Sequence, residues 1–207
     1  MDKAKAPDNL PVPVTWPVAM WPFWTYRPAW WTWVIPYICC FRIDCTNLPF
    51  KGKWPHCGVG FTWDDGTERY GEALVGEGVV WNRPFSRLQE FARKPGNRVC
   101  RCVLTRAPES CRRGYEKMLT FKDDTPYYTW QLVQMWAAER FGFQVPRTPH
   151  KVVCSEYKAA VCLAAGYDLR DARRTRVDAV TPSSGMAACS AKYRAKFEMV
   201  TAEVANR

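Results

Sequence analysis

The stretch from Val152 to Gly166 limits most strongly what this chain can form. Two β-branched valines precede Cys154 and favour an extended backbone. An alanine-rich apolar run follows and ends at Gly166, a residue type that commonly terminates helices. The pattern predicts a helix with Cys154 at or just before its N-terminus. The unpaired backbone N–H groups and the helix dipole at that position favour a thiolate over a thiol.

A reactive cysteine needs a base, and the chain has two histidines, His56 and His150. Small or polar residues alternate with apolar ones from residue 56 to residue 63, which is typical of a strand with one buried face. The Asp-Asp-Gly-Thr sequence at 64–67 predicts a hairpin turn, and residues 68–75 then form the return strand. The hairpin therefore brings acidic side chains of the return strand close to the first histidine.

Three residues are the candidates for a thiol-based site, with Cys154 as nucleophile, His56 as base and Glu72 as the group that orients the imidazole. Glu68 is the second choice for the orienting group because it shares a strand face with Glu72. His150 is the less favoured base, since the extended valines hold it away from the sulfur of Cys154. The alternative is that the cysteine is a small buried apolar residue and the histidine a structural one.

The segment at residues 10–37 combines six prolines with many tryptophans. Its apolar content is that of a membrane segment, but prolines at these positions interrupt a helix. An extended, polyproline-like arm is predicted instead. It either wraps its own domain, docks on a protein partner or a second copy, or lies at a membrane surface. The chain is thereby divided into a Pro/Trp-rich arm, residues 1–37, and one domain, residues 38–207.

The remaining sequence predicts a mixture of strands and helices, which gives an α+β class. The predicted strands are residues 38–43, 76–81 and 99–105, and the predicted helices are residues 85–94, 108–119 and 127–141, a short helix from residue 181 and a helical tail to residue 207. The apolar stripe of the helix at 127–141 is interpreted as core.

Charge and cysteine usage narrow the class of partner. The chain has 30 basic and 20 acidic residues, and its net charge of +10 favours anionic partners such as cell-wall polymers, lipid headgroups or nucleic acid. Nucleic acid is the least favoured of these, because no aromatic pattern for base stacking is visible. The ten cysteines contain no CxxC pair, and we predict free thiols, no metal and no other cofactor. No signal peptide is recognisable, which predicts synthesis in the cytoplasm.

Several motifs together resemble the circularly permuted NlpC-type papain-like enzymes, a group that includes the lecithin–retinol acyltransferase-like proteins. The matching segments, in chain order, are His56–Phe61, Gly71–Ala73, Asp124–Tyr127, Val153–Tyr157 with Ala164–Gly166, and Val180–Ser183. The order of histidine, acid and cysteine is that of the permuted enzymes, and the resemblance covers residues 38–190. Cys57 stands where the family has an aliphatic residue. The resemblance implies a permuted papain-like fold, with a small antiparallel sheet packed against helices.

The resemblance also implies a function, namely hydrolysis or transfer of an acyl group through a thioester on Cys154. His56 would act as base and then as acid, and the oxyanion would be met by the Cys154 backbone N–H and a neighbouring donor. Peptidoglycan stem peptides and lipid acyl groups are the substrates of the family, and the positive charge favours cell-wall peptides. The alternative is a non-enzymatic assembly protein, for example a virion component, that docks through its aromatic arm.

Overall fold

The computed structural model describes residues 13–27, 56–121, 125–128, 134, 151–170, 180 and 182–200. Within these residues, six strands form one antiparallel sheet and four helices accompany it. The elements are β1 (Ala19–Tyr26), β2 (His56–Thr62), β3 (Glu68–Leu74), β4 (Gly78–Pro84), α1 (Ser86–Arg93), β5 (Arg98–Cys102), α2 (Pro108–Leu119), α3 (Cys154–Ala164), α4 (Pro182–Tyr193) and β6 (Phe197–Met199). The strand order is β4-β3-β2-β1-β5-β6, which confirms the α+β class and the antiparallel sheet.

The β2–β3 hairpin forms where the sequence predicts it. The turn closes through a 2.9 Å hydrogen bond from the Trp63 N–H to the Thr67 carbonyl, and Asp65 accepts a 2.8 Å bond from the Thr67 N–H. Gly66 has a φ of +79°, a conformation that glycine adopts without steric cost. The register pairs Gly58 with Glu72, so the acidic residue lies near the beginning of β2.

Both faces of the sheet are covered, each by a different cluster of apolar residues. The larger cluster joins the alternate positions Cys57, Val59 and Phe61 of β2 to helices α2 and α3, which confirms the predicted strand. The prediction that only one of its faces is buried is wrong, because the positions between them are buried as well. The smaller cluster lies on the other face beside α1. There the ring of Trp21 covers Gly60 so closely that a Cβ atom would overlap it. Burial on both sides holds β2 in a fixed position in the sheet.

The prediction of an extended arm outside the domain is wrong for residues 19–26. This segment is strand β1, and it lies between β2 and β5 in the sheet. Trp21 and Trp24 belong to the clusters on opposite faces and are almost completely buried. A strand that is buried on both faces reads as a continuous apolar run, without the alternation that usually identifies strands. Pro22 is tolerated because it falls between the β1–β5 ladder, which begins at Phe23, and the separate bridge at Met20.

The C-terminal part differs from the prediction of a helical tail. Helix α4 ends at Tyr193, and Arg194 takes a positive φ of 50°. The chain then forms β6, which pairs with β5 at the edge of the sheet. In contrast, α2 has the predicted bounds, and α3 begins at the predicted cysteine. The strand predicted at 38–43 and nearly all of the helix predicted at 127–141 lie outside the described residues.

Each of the four helices in the described part of the chain is too short or too polar to cross a lipid bilayer.

Candidate active site

Helix α3 presents Cys154 at its first position. Val153 directly before it has φ −106° and ψ 161°, the extended backbone that its β-branched side chain favours. No side chain caps the first N–H groups of the helix, because valine carries no acceptor. These N–H groups and the helix dipole therefore act on the sulfur, which lies in a residue only 2% exposed.

His56 and Glu72 meet across the β2–β3 hairpin. The His56 Nε2–H donates a 2.7 Å hydrogen bond to Glu72 Oε2. The imidazole is 22% exposed and the carboxylate 7% exposed, so the contact is only partly shielded from solvent on the histidine side. Arg83 of β4 donates to the other carboxylate oxygen at 3.4 Å and to Glu77 at 2.6 Å. Arg83 thereby holds the Glu72 carboxylate in place, directed at the histidine.

The third candidate completes the group, because Cys154 lies close enough to His56 for its charge and a hydrogen bond to act on the ring. Since Nε2 is engaged by Glu72, Nδ1 is the ring nitrogen that remains for the sulfur. The structure thus brings together the three predicted site residues, which come from β2, β3 and the N-terminus of α3.

The electrostatics of the group favour an ion pair of imidazolium and thiolate. Burial lowers the pKa of His56, but the Cys154 thiolate and the Glu72 carboxylate outweigh it and raise that pKa to about 10. The hydrogen bond from Cys57 lowers the pKa of Cys154 well below the usual range of a thiol. Burial opposes this effect and the charge of His56 adds to it. The two shifts together favour a deprotonated sulfur beside a protonated ring.

Tyr127 is a residue of this site that the sequence interpretation left without a role. Its hydroxyl donates to Cys154 Sγ at 3.9 Å. The segment that carries it is fixed against the chain just before α3, since the Tyr128 N–H donates to the Val152 carbonyl at 3.1 Å and the Val152 N–H to the Pro126 carbonyl at 3.2 Å. The Pro-Tyr pair was visible as part of a motif, but its contact with the sulfur depends on this through-space pairing.

Glu68, the second choice for the orienting group, does not join the described group. Glu68 pairs with Arg101 at 2.7 Å and accepts a hydrogen bond from Thr62 at 3.1 Å, at the far end of the hairpin from His56. His150 lies outside the described residues. In the described part of the chain, no three histidine, cysteine or acidic side chains are placed to hold a metal ion.

Comparisons with known proteins identify no relative, because the chain matches no protein-family model, no curated protein and no solved structure. The chemistry of the site therefore has to be argued from its own residues.

Proposed function

We propose that this protein is a cysteine hydrolase that cleaves an amide or ester bond through a thioester intermediate. The observation that carries the proposal is the series in which Glu72 is hydrogen-bonded to His56 and His56 lies beside Cys154 at an uncapped helix N-terminus. An acidic group, an imidazole and a low-pKa thiol in this order are what nucleophilic catalysis by cysteine requires.

The proposed reaction has two halves, acylation of Cys154 and hydrolysis of the resulting thioester, and His56 transfers a proton in each. The Cys154 thiolate attacks the substrate carbonyl carbon, and the His56 imidazolium gives its proton to the departing amine or alcohol, which leaves a thioester. The neutral imidazole then takes a proton from water as the water attacks the thioester. Collapse releases the carboxylic acid, and the thiolate and imidazolium are restored. Glu72 stabilises the imidazolium in the resting site.

The negative charge that develops on the carbonyl oxygen needs donors. The backbone N–H of Cys154 is one of the N–H groups at the helix N-terminus that no side chain caps. The Tyr127 hydroxyl, which points at the sulfur from another segment, is the second donor in this proposal. Two donors that converge beside the nucleophile match the arrangement that stabilises tetrahedral intermediates.

The substrate class that we propose is a peptide of an anionic cell-wall polymer. The net charge of +10 supports this choice, because a positively charged protein accumulates at anionic polymers. The family resemblance supports it as well. The same thioester would serve acyl transfer if a lipid or another alcohol replaced water as acceptor.

The proposal is tested by trapping the acyl-enzyme with p-nitrophenyl acetate. We expect a burst of nitrophenolate equal to the protein concentration and an acetyl group on Cys154 by mass spectrometry. Cys154→Ala and His56→Ala are expected to lose the burst, whereas His150→Ala keeps it. Incubation with peptidoglycan should then release new amino groups. Acetylation spread over many residues, or an undiminished burst in His56→Ala, would overturn the proposal.

The alternative of an assembly protein that docks through residues 10–37 has less support. The described part of that segment contains β1, whose tryptophans are buried in the protein's own sheet. A protein that shows no burst but self-associates in sedimentation experiments would favour this alternative.

A further inference from the structure

A buried lysine lies one helical turn beyond the candidate nucleophile. Lys158 is four residues after Cys154 on α3, and its side chain is 0% exposed. Its ammonium lies 4.5 Å from the centre of the Trp24 ring. Gly185 of α4 leaves the space for it, since a Cβ there would come within 2.5 Å of Nζ.

The Lys158 ammonium lacks a complete set of hydrogen-bond acceptors. Among the residues that the structure describes, none accepts a well-formed hydrogen bond from Lys158 Nζ. Burying a charge without a counter-charge destabilises the fold, and contact with an aromatic ring offsets only part of that effect. A negative charge close to Lys158 would therefore stabilise the buried ammonium.

Cys57 lies between the ammonium and the nucleophile. It is opposite Trp24 in the β1–β2 register, which places it on the sheet face that α3 covers. Its thiol and its backbone N–H both lie close enough to the sulfur of Cys154 to donate to it. The ammonium of Lys158 is beside the same Cys57 thiol. The three side chains therefore form a buried series from Lys158 through Cys57 to Cys154.

We propose that Cys57 and Lys158 are positioning residues that hold Cys154 in its thiolate form, Cys57 by donating its S–H and Lys158 by balancing the negative charge. The catalytic use of the thiolate rests on the proposed function. The stabilisation of the thiolate by these two residues rests on the contacts described above. Glu72 shares the charge of the imidazolium, and the lysine supplies a second cation that acts on the thiolate through Cys57. The groups that face the sulfur are His56 and Cys57 from β2, and Tyr127. Lys158 faces the Cys57 thiol, and it also faces Cys162 of its own helix and Cys189 of α4.

With the lysine counted, opposite charges in the site are equal in number. The cations are His56, Arg83 and Lys158, and the anions are Glu72, Glu77 and the Cys154 thiolate. The thiolate then has support from two sides, from the imidazolium and from the Cys57–Lys158 pair. Loss of either support leaves the other in place.

The inference is tested by titrating the thiolate in the intact protein without substrate. The absorbance of the thiolate near 240 nm and the rate of Cys154 alkylation by iodoacetamide, followed by mass spectrometry, are measured against pH. We expect Cys57→Ala and Lys158→Met each to move the midpoint upward by at least about one unit, which lowers the alkylation rate about tenfold below the new midpoint. Cys57→Ser should restore most of the rate, because its hydroxyl also donates. Cys111→Ala, which changes a buried cysteine of α2 that does not face Lys158, is the matched control and should leave the midpoint unchanged.

The outcomes separate this inference from the proposed function. A wild-type midpoint in both Cys57→Ala and Lys158→Met would overturn the inference. Alkylation of many cysteines would reveal that Lys158→Met fails to fold. In that case the comparison of Cys57→Ala with Cys57→Ser decides alone, and equal midpoints in these two variants would overturn the inference. Shifted midpoints in a protein that forms no acyl-enzyme would support the inference and reject the hydrolase.

Discussion

Replacing Glu72 by glutamine tests the electrostatic description of the site most directly. The substitution keeps the shape and a hydrogen-bonding oxygen but removes the negative charge that faces the imidazole. The 2.7 Å contact joins two largely buried groups, and unit charges about 4 Å apart interact by about 4 kcal/mol at an effective dielectric constant of about 20. Part of the hydrogen bond survives in the amide, so we expect the pKa of His56 to fall by about 1–3 units from its raised value of about 10.

The measurement is simplified by the small number of histidines. With only His56 and His150 in the chain, NMR of histidine-labelled protein gives two imidazole titrations, and His150→Gln assigns them. Glu68→Gln is the matched control. It removes a carboxylate from the same strand, but one that pairs with Arg101 and has no contact with the imidazole. The wild-type and Glu68→Gln proteins should titrate alike, and Glu72→Gln should titrate at lower pH.

Two results would refute this reasoning. If Glu72→Gln left the titration of His56 where it is in the wild type, the carboxylate would not be its counter-ion in solution. If the wild-type His56 ring titrated near 6.5, the ion pair with the thiolate would not form at neutral pH. The proposed catalytic role of the pair would then be wrong.

Four further outcomes follow from the structure. Deleting residues 1–27 should leave a chain without cooperative unfolding in circular dichroism, because it removes a central strand, whereas a dispensable arm would leave the transition intact. Gly60→Ala should lower the free energy of unfolding by about 1–3 kcal/mol in urea titrations, because the new methyl group overlaps Trp21; an unchanged midpoint would contradict this packing. Tyr127→Phe should slow acylation by p-nitrophenyl acetate about tenfold or more and leave iodoacetamide alkylation, which forms no oxyanion, nearly unchanged. Folding raises the pKa of His56 from 6.5 to about 10, so its contribution to stability is complete below pH 6.5 and is lost as the pH rises through about 10. Denaturant midpoints should show this loss, and His56→Gln should not.

The sequence by itself determined the local elements that carry the site. Asp-Gly in the turn and the alternation that begins at His56 are short-range signals, and they specified the hairpin. Extended valines followed by an alanine-rich run specified a helix that begins at Cys154. These features depend on neighbouring residues and on the preferred backbone angles of each residue type, so they can be predicted without a structure.

The tertiary structure alone decided which side chains meet. Glu68 and Glu72 share a strand face, and only the register, which pairs Gly58 with Glu72, placed the second one beside the histidine. The position of β1 in the middle of the sheet, and the contacts of Tyr127 with the sulfur, join residues far apart in the chain. Such contacts are set by packing and by the burial of both sheet faces, which no local pattern of residues records.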